Sequence, residues 1–94
     1  MDDFNEFDNL DTDDTLRTML TIAVQLGGSV YNTGDHRGCY EIYAATGRML
    51  LQLMEVPDDY KPILSEALQE ASLNLDVSAQ AWTMRRAFDS ILAE

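Results

Sequence analysis

The spacing of apolar residues is the strongest constraint on what this chain can fold into. Between positions 16 and 31 they fall at Leu16, Met19, Leu20, Ala23, Gly27, Val30 and Tyr31, the three-and-four step that gathers side chains on one face of an α-helix. Arg17, Thr18, Thr21 and Gln25 occupy the other side. The same step recurs at Ile63, Leu64, Ala67, Leu68 and Ala71, and again at Ala81, Met84, Phe88, Ile91 and Leu92. No stretch sustains an alternation of period two, so no sheet is expected. Helical stripes bury themselves only against other helices, and the fold class is therefore all-α.

The breaks between stripes are short and carry their own chemistry. Asn32-Thr33-Gly34-Asp35 is a stop followed by a restart: Gly34 can take the left-handed geometry that ends a helix, and Asp35 can cap the next. The first helix should start near Asp13 or Asp14, whose carboxylates suit the positive end of the helix dipole. A second helix is expected from about His36 to Met54. Its polar residues Arg37, Glu41, Arg48, Gln52 and Glu55 form one narrow stripe, while Cys39, Ile42, Tyr43, Thr46, Met49, Leu50 and Leu53 fill much of the rest. A helix with so little wet surface belongs at the centre. Pro57-Asp58-Asp59 ends it and offers an aspartate cap to a third helix, where Pro62 is tolerated in the first turn. Asp76 or Ser78 caps the fourth. Short connections favour antiparallel neighbours, which gives a four-helix bundle of two hairpins. Gly27 and Gly28 each cost on the order of 1 kcal/mol of helix propensity against alanine, and close approach of a neighbouring helix is the expected compensation.

Ninety-four residues make one domain. The net charge of −11 is unevenly placed: residues 1–14 hold seven acids and no base, which leaves ten acids and six bases for the remainder, a net of −4. Residues 1–13 therefore read as a disordered acidic tail ahead of a helical domain over 14–94. Within that tail Phe4, Phe7 and Leu10 are spaced by three and could present one face to a groove. The acidic balance argues against nucleic acid and against anionic membrane surfaces. No apolar run approaches the roughly 20 residues of a membrane span. Cys39 is the sole cysteine, so no internal disulfide forms, and the expected setting is the cytoplasm.

The segment Gly28-Ser-Val-Tyr31-Asn-Thr-Gly34-Asp35-His-Arg-Gly-Cys39-Tyr-Glu-Ile-Tyr43-Ala-Ala-Thr46 resembles one tetratricopeptide helix-turn-helix. Gly28 and Tyr31 would close its first helix, Gly34-Asp35 would make the turn, and Cys39, Tyr43 and Thr46 would take the small, aromatic and small places of the second helix. The turn is one residue shorter than in that family, and no second copy follows about 34 residues later. The pattern Tyr31-Asn32-x-Gly34-Asp35-x-x-x-Cys39 is also similar to that of small helical bacterial domains of unassigned function. The tetratricopeptide resemblance implies an αα-hairpin and peptide or protein binding.

Catalytic motifs are missing. His36 and Cys39 sit three apart beside Asp35, but one His and one Cys fall short of the three or four ligands of a zinc site. Asp11, Asp13 and Asp14 lack the glycine-containing loop of a calcium site. The serines lack a Gly-x-Ser-x-Gly context, and no phosphate or dinucleotide loop is present. The expectation is therefore a chain that is not an enzyme and uses no cofactor. Two clusters suit binding instead. Trp82 has Arg85 and Arg86 as its three- and four-residue neighbours, a composition typical of an interface anchor, to which Phe4 and Phe7 could contribute. Tyr31, Asn32, His36 and Tyr40 cluster around the first turn as a candidate ligand pocket. The expected function is a protein-protein interaction module, its partner another protein or a second copy of this chain, with a dimeric structural subunit or a small-ligand domain as alternatives.

Overall fold

The computed structural model describes residues 12–53 and 55–94. Within these residues four helices follow in order: α1 (Thr12–Asn32), α2 (His36–Leu53), α3 (Lys61–Ser72) and α4 (Val77–Leu92). The fold is an all-α bundle, with no strand among the described residues. Three residues join α1 to α2 and four join α3 to α4, and each pair packs along its length. α2 and α4 each touch all three other helices, whereas α1 and α3 do not meet. The central place expected for α2 is thus shared with α4.

Tyr43 of α2 and Phe88 of α4 meet edge to face at 5.5 Å between ring centres, with an interplanar angle of 71°. Around them Leu16, Leu20, Leu50, Leu64, Met84 and Ile91 are fully buried. The apolar spacing therefore marks the core correctly on α1, α3 and α4. It overreaches on α2, where Met49 is 46% and Leu53 75% exposed. Those two lie on the side of α2 turned away from α4, and no other helix among the described residues covers it.

The glycine pair on α1 divides its work. A Cβ at Gly27 would run into the Tyr43 ring, so the missing side chain lets α1 close on α2 as anticipated. Gly28 faces open space instead. At the turn, Gly34 adopts φ +96°. The Asp35 amide then donates back to the Val30 carbonyl at 3.3 Å and the Gly34 amide to Tyr31 at 2.9 Å, a Schellman stop. Asp35 caps α2 by accepting from the Gly38 amide at 2.8 Å, and a Cβ at Gly38 would collide with that carboxylate.

Two expected caps differ. α1 begins at Thr12, so Asp13 and Asp14 lie inside its first turn. α3 is preceded by Tyr60 and has no side-chain cap. The Tyr60 and Lys61 amides donate to the Pro57 carbonyl at 2.9 and 3.1 Å, so backbone does the work proposed for Asp58 and Asp59. Asp76 caps α4 by accepting from the Ser78 amide at 3.0 Å. Gln80 reaches back across the α3–α4 connection, donating to the carbonyls of Ala71 and Asn74 at 2.9 and 3.0 Å.

Candidate functional site

The Schellman stop and the Asp35 cap fix the C-terminal end of α1 against the first turns of α2, and the N-terminal half of α4 lies across both. Where the three meet, Tyr31 is the hub. Its hydroxyl lies 2.7 Å from Ser78 Oγ and accepts from Trp82 Nε1 at 3.2 Å. Its ring stacks on His36, with centroids 4.1 Å apart and planes at 20°. Trp82 stands edge-on to it at 6.0 Å and 73°. Three helices are thus tied through one side chain.

Beside this cluster opens a cleft of about 160 Å³. Cys39, Tyr43 and Ala81 form its floor; Gly28, Tyr31, Asn32, Trp82 and Arg85 line the rest. The absent side chain of Gly28 is what leaves the space open. The floor is apolar in character. Burial pushes the Cys39 thiol up from its ordinary value. Tyr43 is pushed up to about 12, chiefly by burial and then by hydrogen bonding with Cys39. Both groups are neutral near pH 7. Burial would lower the Arg85 pKa, but hydrogen bonding and the charge of Asp89, with a smaller contribution from Tyr43, raise it on balance. Arg85 Nε sits 3.1 and 3.2 Å from the two Asp89 carboxylate oxygens, so its charge is largely answered within α4.

The residues singled out in the sequence separate into three groups. Tyr31, Asn32, Trp82 and Arg85, drawn from both candidate clusters, line one cleft. His36 braces it from behind by stacking on Tyr31. Tyr40 is packed partly into the core and is not among the lining residues. Arg86 turns the other way, into a shallow groove between α3 and α4 with Glu66, Glu70 and Ser90, where its Nη2 is 3.5 Å from Thr83 Oγ1. One residue's step around a helix rotates a side chain by about 100°, enough to place Arg85 and Arg86 on different faces. Phe4 and Phe7 lie outside the described residues.

Two features went unanticipated. Arg17, assigned by its position to the wet side of α1, reaches across the bundle. Its Nε donates to Asp13 at 2.9 Å, its Nη2 to the Tyr60 hydroxyl at 2.9 Å and its Nη1 to the Leu92 carbonyl at 3.2 Å. Ser78, considered as a helix cap, gives that role to Asp76 and spends its hydroxyl on Tyr31. A long, flexible cation at the edge of an apolar stripe was the available signal for Arg17, because such side chains bury their stems and carry their heads to distant partners.

Among the described residues no three His, Cys, Asp or Glu side chains come together to hold a metal ion, and no helix is long and apolar enough to cross a membrane. Comparison with models of known protein families, with curated proteins and with solved structures finds no match.

Proposed function

We propose that this chain is a non-catalytic protein-interaction module whose α1–α2–α4 cleft takes one apolar anchor side chain from a protein partner. The observation that carries this reading is Trp82, 46% exposed at the rim of an apolar-floored cleft. Exposed tryptophan beside arginine and tyrosine is the composition of binding hot spots. The volume argues for a side chain over a cofactor. Pockets for small ligands run from about 300 to 1,000 Å³, roughly twice this cleft or more. Cys39 supports the same reading: fully buried, with its thiol pKa raised, it is a poor nucleophile.

The partner is neutral to basic around its anchor. Arg85 is already answered by Asp89, and a chain of net charge −11 repels acidic surfaces at long range. The acids among residues 1–14 add steering, so capture should weaken as salt rises.

The test is affinity capture from native lysate with matched baits. Wild type and Arg86→Ala should recover a common partner. Trp82→Ala should lose it, as should Gly28→Leu, which fills the cleft from a position where a Cβ meets open space. Recovery of the same proteins by all four baits would remove the cleft from the account.

A further inference from the structure

A second surface lies on the opposite side of α1. Ile22 and Leu26 are 56% and 54% exposed, one turn apart and well over 90° around the helix from Arg17 and Gly28, which face α4 and its cleft. On α2, Met49 and Leu53 also turn away from α4, since Gly47 and Tyr43 are the positions that meet Met84 and Phe88. The outer face of the α1–α2 hairpin therefore carries four large apolar side chains that no other described residue covers. Its charge pattern is equally unusual. Residues 18–34 contain no charged side chain, in a chain where 24% of residues are charged. The exposed positions of α1 are Asp14 in its first turn and then Thr18, Thr21, Ile22, Gln25, Leu26, Ser29 and Asn32. A merely solvated helix face has no reason to exclude charge so completely.

We infer that this face is where a second copy of the chain docks. Two molecules of charge −11 repel, and contact is favourable only where neither presents carboxylates. The outer side of α1 is the long surface that meets the condition. It is also self-complementary: Ile22 is the middle residue of Thr12–Asn32. A twofold axis crossing α1 between Ile22 and Leu26 runs the two copies of this helix antiparallel, with Ile22 of one against Leu26 of the other. A helix of 21 residues is about 31 Å long and 10 Å across. Side by side, two such helices offer each copy a face of roughly 300 Å², about 600 Å² for the pair, the size of a weak, transient contact below the stable range. The dimer is accordingly reversible and concentration-dependent. It leaves both Trp82 clefts open, and its standing does not depend on the proposed function of that cleft.

Sedimentation equilibrium on the full chain tests this across roughly 5 to 500 µM. The mass should climb from 10.6 kDa toward twice that value, and added salt should tighten the association by screening like charges. Ile22→Asp and the milder pair Ile22→Ser with Leu26→Ser should weaken it at least about tenfold while leaving the helical circular dichroism intact; Trp82→Ala should leave it unchanged. A wild type that stays monomeric throughout overturns the inference. So does a chain that dimerises only after residues 1–11 are removed, since the face would then be covered by the chain's own N-terminal segment. Equal dimerisation by wild type and both outer-face variants overturns it as well.

Discussion

The two ends of α1 are each held by a polar knot, and the knots differ in what they leave over. At the N-terminal end Arg17 spends its guanidinium on Asp13, the Tyr60 hydroxyl and the Leu92 carbonyl, and neither described cleft borders it. At the C-terminal end Tyr31 binds Ser78 and Trp82 through one hydroxyl, and a cleft opens beside it. Both knots join α1 to α4. One closes the fold and nothing more; the other closes it around a space. The contrast separates the two ends better than residue type does, because an arginine and a tyrosine would each have passed as a binding group.

Substitutions can break that contrast or sharpen it. The largest effect should come from Gly27→Ala, where the new methyl group meets the Tyr43 ring. Overpacking of this kind costs about 1–3 kcal/mol, read as a lower midpoint in urea unfolding. Arg17→Met should follow, removing all three bonds of the closed knot; Tm should fall while partner capture, corrected for the folded fraction, stays at the wild-type level. Loss of capture in that variant would erase the distinction between the two ends.

Alkaline pH should act through the cleft floor. Tyr43 ionises near 10 when unfolded and at about 12 when folded, so the folded state holds its proton longer. That stability is complete below pH 10 and is lost as pH rises toward 12; the raised Cys39 thiol works in the same sense. Thermal melts between pH 8 and 11 should show a declining Tm that Tyr43→Phe flattens. Tyr31→Phe should cost only about 1 kcal/mol for its lost hydroxyl contacts, yet change Trp82 emission, which comes from the sole tryptophan. Smallest in stability is Gly28→Ala. It should gain up to about 1 kcal/mol of helix propensity and still weaken capture by narrowing the cleft. Two adjacent glycines would then give opposite signs.

Much of the architecture was legible in the residues. Apolar spacing located all four helices, and Gly34 with Asp35 marked the first turn because one backbone geometry and one cap satisfy both sides of it. The cleft was half legible. Tyr31 and Trp82 stood out separately, but they are 51 positions apart, and nothing local shows that α4 crosses the end of α1. Arg85 and Arg86 both neighbour Trp82 along the chain, and a helical step of about 100° separates them; only the placement of α3 shows what Arg86 faces. Met49 and Leu53 look like core residues by type and phase, and their exposure depends on which side of α2 the other helices cover.

The Arg17 knot also bears on how the chain folds. Its bond to the Leu92 carbonyl spans 75 residues, whereas the hairpins close over a few. Contacts so distant in sequence carry a large loop-closure cost until the intervening elements are assembled. The Arg17 clasp should therefore form after the folding barrier, with a φ-value near zero. Arg17→Met would then quicken unfolding and leave the refolding rate nearly untouched, which makes this arginine a determinant of how long the native state lasts.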